Sequence, residues 1–180
     1  GGSIHLNNEL LYNKGFNNKL LLEYGSFNTL SSYYKTSFSK KDFGVNFSIN
    51  HASSDNDYEV EKRDYINRNG AYKNTTLSLG AGYKMTDQNE LYLQTQWFDS
   101  KQNYPILSEY ATPTQYKNEN YRSLVGRKIK RDKSNNDLKL AFLQDEFQYF
   151  SELDKPKTSS GKTTQFIVKN DFNYKITEKG

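Results

Sequence analysis

Four carboxylates within seven residues are the most chemically suggestive group in the chain. The carboxylates are those of Asp55, Asp57, Glu59 and Glu61, which occupy every second position. Ser53, Ser54 and Asn56 beside them add hydroxyl and amide oxygens. Oxygen-rich loops of this kind can ligate a hard cation such as Ca²⁺. The spacing lacks the glycine and terminal glutamate offsets of an EF-hand. A calcium site is therefore one interpretation, and a solvated acidic loop is the other.

A second group is the tyrosine-rich stretch that surrounds a long predicted loop over residues 102–120. It contains Tyr104, Tyr110 and Tyr116. Aromatic side chains in a loop offer a small ligand a rigid, amphipathic surface at low entropic cost. We therefore expect these three tyrosines to contact a ligand, with packing within the loop or a place in an aromatic girdle as the alternatives.

Other motifs favour neither catalysis nor nucleic-acid binding. Gly161-Lys162-Thr163 resembles part of a phosphate loop, but the first glycine of that motif is replaced by Pro156. The basic run 127–133 has no interleaved aromatic residue on which a base could stack. His5 and His51 have no evident catalytic or zinc-binding partners, and the chain has no cysteine. The sequence thus predicts no enzyme and, apart from the candidate calcium, no cofactor.

The composition is unusual for a chain of 180 residues. Leu, Ile, Val and Phe account for only 39 residues, whereas aromatic residues make up 15 %. The mean hydropathy is −0.97 and the net charge is +4. No apolar run approaches the length of a membrane-spanning helix. The chain is thus rich in aromatic residues yet has too few aliphatic ones for an ordinary core.

The apolar residues recur with period two, which is the period of a β-strand with one apolar and one polar face. Clear alternation covers residues 43–51, 75–85, 91–97 and 166–176, and weaker alternation covers 20–24, 30–38, 121–130 and 138–150. Ala141-Phe142-Leu143 interrupts the last segment, which predicts a bulge or a helical turn there. The chain is predicted to be all-β, with about eight strands.

The predicted connections alternate in length, and this alternation is informative about the fold. They cover residues 25–28, 40–42, 53–73, 86–89, 102–120, 131–136 and 151–163, and after the first pair they run long, short, long, short, long. Short turns at one end and long loops at the other are typical of outer-membrane β-barrels. Lipid would then cover the apolar face, so that few aliphatic residues suffice.

Aromatic residues near the predicted strand ends fit the same interpretation. Membrane-spanning proteins place such residues at both interfaces. The candidates for these aromatic girdles are Tyr24, Tyr83, Trp97, Tyr149 and Tyr174. The alternative is a soluble twisted sheet with scattered surface aromatics.

Two motifs resemble one protein family. Gly1-Gly2-Ser3-Ile4-His5-Leu6-Asn7-Asn8 resembles the segment that closes the plug domain of TonB-dependent outer-membrane receptors. Tyr24-Gly25-Ser26-Phe27-Asn28-Thr29 resembles the turn between barrel strands one and two of that family. The resemblance implies that residues 1–12 are the end of a plug and its linker. Residues 13–180 would be the first part of the barrel, an antiparallel transmembrane meander of about eight of 22 strands.

The resemblance implies active transport rather than catalysis. The expected location is the outer membrane, where lipid surrounds the barrel and the TonB complex acts through the plug. The expected ligand is a ferric siderophore, haem or cobalamin, and the acidic loop is similar to the calcium-dependent loops of cobalamin receptors. One alternative is a complete eight-stranded outer-membrane barrel, serving as an anchor or a hydrolase. Another is a soluble, secreted β-sandwich adhesin whose apolar stripes pack against each other.

Overall fold

The computed structural model describes residues 12–61, 65–106, 108 and 110–176, and most of this part of the chain lies in strands. The strands are β1 (Gly15–Gly25), β2 (Thr29–Lys40), β3 (Phe43–Ser54), β4 (Tyr58–Glu59), β5 (Ile66–Asn67), β6 (Tyr72–Thr86), β7 (Asn89–Tyr104), β8 (Thr114–Lys130), β9 (Ser134–Phe150) and β10 (Ser159–Tyr174). Within these ranges no helix is long and apolar enough to cross a membrane.

Eight long strands form one antiparallel sheet in the order β1-β2-β3-β6-β7-β8-β9-β10. Each long strand pairs with the next long strand along the chain, so the sheet is a meander. The short strands β4 and β5 pair with each other within the connection between β3 and β6. The predicted all-β meander of about eight strands is confirmed. Among the described residues the sheet is open, with β1 and β10 as its two edges.

The connections alternate between the two ends of the sheet. Turns of two or three residues, 41–42, 87–88 and 131–133, lie at one end, which we call the short-turn end. The opposite, long-loop end carries the connections 55–71, 105–113 and 151–158 together with the first turn, 26–28. The predicted alternation of short and long connections is confirmed.

The register is continuous across the sheet except for one shift between Lys84 and Thr86. The predicted irregularity at Ala141–Leu143 is wrong, because β9 pairs with both neighbours there without a shift. Phe142 continues the face of Leu138 and Leu140, whereas Leu143 lies on the other face, opposite Arg122. An apolar residue on the polar face hides the alternation in the sequence.

The register separates the two faces of the sheet. On the apolar face, residues directly opposite one another form rows across neighbouring strands. One row is Ala81, Leu93, Val125, Leu140 and Val168, and the next is Leu79, Thr95, Ser123, Phe142 and Phe166. The polar face carries the alternate residues, which are mainly Asn, Gln, Ser, Thr, Gly and charged side chains.

No second layer covers the apolar face in the described part of the chain. Phe166 and Val168 are 79 % and 73 % exposed, and most of the large apolar residues on this face exceed one-third exposure. Tyr92 is the single buried hydrophobic residue among those described. The described part of the chain therefore buries almost no large apolar side chain.

Aromatic residues lie at both limits of this apolar surface, towards the long-loop end and towards the short-turn end. Trp97 and Tyr121 lie opposite each other towards the long-loop end, and Trp97 Nε1 donates a hydrogen bond of 2.9 Å to Glu119 in the next row. Tyr83 and Tyr174 lie on the same face towards the short-turn end. The placement of Tyr149 in this group is wrong, because its position in β9 puts it on the polar face.

Candidate ligand-binding site

Four aromatic side chains gather on the polar face near the long-loop end, and we call them the aromatic cluster: Tyr104, Tyr116, Phe147 and Tyr149. Tyr104 and Tyr116 meet edge to face, with ring centroids 5.7 Å apart and planes at 63°. The Tyr116 centroid lies 5.5 Å from that of Phe147 and 5.1 Å from that of Tyr149. Tyr116 is thus the centre of the cluster, and three strands contribute to it.

The register explains why these rings meet. Tyr116 is directly opposite Tyr149 on β9, and Phe147 is two residues from Tyr149 on the same face. Opposite and diagonal positions on one face lie within reach of aromatic side chains. Tyr104 is the last residue of β7, close to the start of β8.

The cluster is open to solvent and bordered by polar groups. Tyr104 is 58 % exposed, and Phe147 is also exposed. Asn118 lies opposite Phe147, and Gly161 follows on β10, where a Cβ atom would meet nothing within 4 Å. Exposed rings beside amides and open space can bind a small amphipathic molecule, because the rings offer contact area and the amides offer hydrogen bonds.

Two asparagines fix the loops above the cluster. Asn69 Nδ2 donates to the carbonyl oxygens of Tyr104 at 2.7 Å and Thr114 at 3.3 Å, so it joins the two ends of the 105–113 loop. Asn67 is fully buried, and its Oδ1 accepts from the backbone N–H groups of Asn69 and Ile106. The 55–71 connection therefore holds the rim of the site in place.

The structure brings together two of the three predicted ligand-binding tyrosines. Tyr104 and Tyr116 belong to the aromatic cluster, whereas Tyr110 lies out in the loop at 89 % exposure. Ligand contact itself stays a prediction for all three. Phe147 and Tyr149 were missed as site residues, although their i, i+2 spacing places them on one face of a strand.

The described carboxylates of the acidic stretch do not form a group that could hold a metal ion. Asp55 accepts a 2.6 Å hydrogen bond from Asn28 Nδ2, and its backbone N–H bonds to the Phe27 carbonyl oxygen. Glu59 and Glu61 are exposed. Within the described ranges, no three His, Asp or Glu side chains are grouped so that they could hold an ion. Calcium at Asp55, Asp57, Glu59 and Glu61 stays a prediction.

A second concave region lies on the polar face at the short-turn end. It has a volume of about 1000 Å³ and is lined by polar and charged side chains from β6 to β10. Tyr12, just before β1, reaches into it: its hydroxyl donates a 2.7 Å hydrogen bond to Glu90, and Lys84 Nζ lies 4.5 Å from the centre of its ring. Partial burial, together with the Glu90 carboxylate, raises the pKa of Tyr12 above its usual value of 10.0.

A tyrosine on β7 and charged side chains on β9 and β10 form a linked network in this concave region. The Tyr92 hydroxyl donates to Asp137 at 2.9 Å, and Lys139 Nζ lies 2.9 Å from the other Asp137 oxygen. Asp171 lies between Lys139 and Lys169, at 3.4 Å and 3.2 Å. These opposite charges compensate one another, and we call this network the polar wall.

The other motifs noted in the sequence are the Gly-Lys-Thr stretch, the basic run and the histidines. Gly161–Thr163 lies inside β10, and Arg127 and Lys128 point to opposite faces of β8. His51 Nδ1 lies 2.9 Å from Thr75 Oγ1 on the apolar face. His5 and the motif at residues 1–8 lie outside the described residues. No protein-family model matches the chain, and neither does any curated protein.

Proposed function

We propose that this chain is part of the barrel of a TonB-dependent outer-membrane receptor, which imports a scarce nutrient by active transport. The nutrient would be a ferric siderophore, haem or cobalamin. In this proposal residues 13–180 form the first strands of a 22-stranded barrel. Residues 1–12 end the plug through which the TonB complex acts, and no bond is made or broken.

The observation that carries the proposal is the uncovered apolar face. Exposed apolar patches on soluble monomers seldom exceed a few hundred Å², because water disfavours them. Here an apolar surface extends across all eight long strands and is bounded by Trp97 and Tyr121 on one side and by Tyr83 and Tyr174 on the other. Between the Trp97 and Leu91 rows the band covers seven residues, or about 20 Å along the strand. At a typical barrel tilt of about 40° this length corresponds to about 15 Å in height, which fits within the roughly 25 Å apolar band of outer-membrane barrels.

The residues just before β1 support a plug on the inner side. Asn13 and Lys14 bond to Lys40 and Ser39 of β2, and Tyr12 extends over the polar face to Glu90 of β7. Tyr12 therefore lies over the face that a barrel would turn towards its lumen. A plug there would meet the charged network and the 1000 Å³ concave region.

The aromatic cluster suits the ligand-binding role. It lies on the polar face at the long-loop end, which in this proposal is the extracellular mouth of the barrel. A ligand that enters from the long-loop end would contact Tyr116 and its neighbours first, and the polar wall around Asp137 only afterwards. A calcium ion in the acidic loop would belong to the same mouth.

The open edges bear on the alternatives. A complete eight-stranded barrel requires β1 to pair with β10, and these two strands are the unpaired edges of the described sheet. A β-sandwich requires a second sheet over the apolar face, and the other sheet among the described residues is the two-stranded β4–β5 pair. A longer barrel leaves both edges available for further strands.

Nutrient uptake tests the proposal. The gene would be deleted in the organism that encodes it, and uptake of ferric siderophores, haem and cobalamin would be measured one at a time. We expect the deletion to abolish uptake of one of these compounds and a strain without TonB to show the same loss. Unchanged uptake of all of them would contradict the proposal.

A further inference from the structure

Three lysines form a row on the apolar face at the long-loop end, and we call them the lysine row. Lys73 on β6 is directly opposite Lys101 on β7, which is directly opposite Lys117 on β8. Like charges that face each other across neighbouring strands repel and destabilise the pairing. A row of this kind therefore favours an anion beside it.

The lysine row has charge available for such an anion. None of the three lysines forms an ion pair with a described residue, and Lys73 and Lys101 are exposed. Lys117 Nζ lies 4.9 Å from the centre of the Phe150 ring, which leaves its charge unneutralised.

The row nearest the lysines contains carboxylates, and two of these accept hydrogen bonds from other donors. Glu119 accepts from Trp97 at 2.9 Å. Glu146 accepts from Gln148 at 2.8 Å. Asp99 is the third carboxylate of this row, and none of the three acids forms an ion pair with a lysine of the lysine row.

The position of the row relative to the aromatic boundary indicates what the anion is. Lys101 follows Trp97 by four residues, which is about 13 Å along the strand and about 10 Å in height at a typical barrel tilt. A lysine side chain can reach back towards the membrane by roughly 6 Å. Its ammonium group would then lie within the polar headgroup layer, which extends about 5–7 Å beyond the hydrocarbon on each side.

We propose that the lysine row binds the phosphate groups of anionic lipid headgroups in the leaflet at the long-loop end. This inference rests on the proposed function, because the apolar face must contact lipid for the row to meet a headgroup. The row would hold one or a few lipids against the outer wall, on the opposite face from the aromatic cluster.

Lipid binding to the full-length protein in a neutral detergent tests this inference. Phosphatidic acid is the probe, phosphatidylcholine is the zwitterionic comparison, and native mass spectrometry counts the bound lipids. The variant K73Q/K101Q/K117Q removes the row. The matched control K41Q/K133Q/K157Q removes the same charge from three exposed lysines in separate connections.

We expect the wild-type protein to retain phosphatidic acid over phosphatidylcholine. The row variant should bind phosphatidic acid roughly a hundredfold more weakly, since each lysine near an anionic surface contributes about fivefold. The control should bind as the wild type does. Equal weakening in both variants, no weakening in either, or displacement of the lipid by an equal concentration of inorganic phosphate would overturn the inference.

Insertion of the same proteins into phosphatidylcholine vesicles separates this inference from the proposed function. If all three proteins insert but bind phosphatidic acid equally, the lysine row has no lipid role and the membrane barrel stands. If the wild-type protein does not insert, the proposed function fails, and the inference fails with it.

Discussion

The ring of Tyr92 on β7 lies directly over Gly126, the residue opposite it on β8. Its hydroxyl continues to β9, where it donates a 2.9 Å hydrogen bond to Asp137. One side chain therefore connects three strands across the polar face, and it can do so because Gly126 has no side chain. This contact explains why Tyr92 is buried in a sheet that otherwise buries no large apolar residue among those described.

Replacing Gly126 with Ala should destabilise the protein. The new Cβ would clash with Cζ and the hydroxyl oxygen of Tyr92, so the ring must move and the bond to Asp137 must lengthen or break. We expect a loss of about 1–3 kcal/mol in the free energy of unfolding, the usual cost of overpacking. Urea unfolding of the folded protein measures it.

Gly161→Ala is the matched control, because a Cβ at Gly161 meets nothing within 4 Å. It should leave the free energy of unfolding within about 0.5 kcal/mol of the wild-type value. Equal stability of the two variants would show that the Tyr92 contact is unimportant.

Replacing Tyr116 with Ala should weaken uptake of the transported nutrient at least tenfold, because Tyr116 contacts every other ring of the aromatic cluster. Tyr116→Phe keeps the ring and should retain most of the uptake. Concentration-dependent uptake into cells measures both effects. Tyr110→Ala removes a tyrosine that lies outside the cluster, and it should weaken uptake less than Tyr116→Ala does. Equal losses in the Tyr116→Ala and Tyr110→Ala variants would argue against the cluster as the site.

Tyr12 should stabilise the protein in a pH-dependent way. Its pKa is raised in the folded state, so the unfolded chain loses the phenol proton first as the pH rises through its usual value of 10.0. The stabilisation relative to Tyr12→Phe, about 1 kcal/mol for the hydrogen bond to Glu90, should be constant up to that pH and then decrease. Unfolding of both proteins between pH 7 and pH 11 measures this difference. An advantage that grows above pH 10 would contradict the assignment.

The strands and the alternating connections could be predicted from the sequence because they depend on local rules. Apolar residues such as Phe43, Val45 and Phe47 recur with period two, and turn residues separate the runs. It is harder to predict which residues of a strand lie on the apolar face where both faces carry apolar residues. Leu143 on the polar face therefore obscured the regularity of β9 and the position of Tyr149.

The contacts of the candidate site depend on register and loop conformation, which local patterns do not determine. Tyr116 and Tyr149 are 33 residues apart in the chain, and only the pairing of β8 with β9 makes them neighbours. Asn67 and Asn69 looked like ordinary loop residues, yet they join two distant connections. The Tyr12–Glu90 bond spans 78 residues and had no signal in the sequence.

Arginine substitutions at two adjacent residues of β10 test the central claim most directly. Val168 lies on the apolar face and Ile167 on the polar face, and both are apolar and exposed, at 73 % and 47 %. Insertion of each full-length variant into phosphatidylcholine vesicles would be measured by flotation and protease protection. Val168→Arg should impair insertion, because an arginine facing lipid costs about 2–4 kcal/mol near the bilayer midplane. Ile167→Arg should insert like the wild type, and equal behaviour of the two variants would contradict a lipid-facing apolar surface.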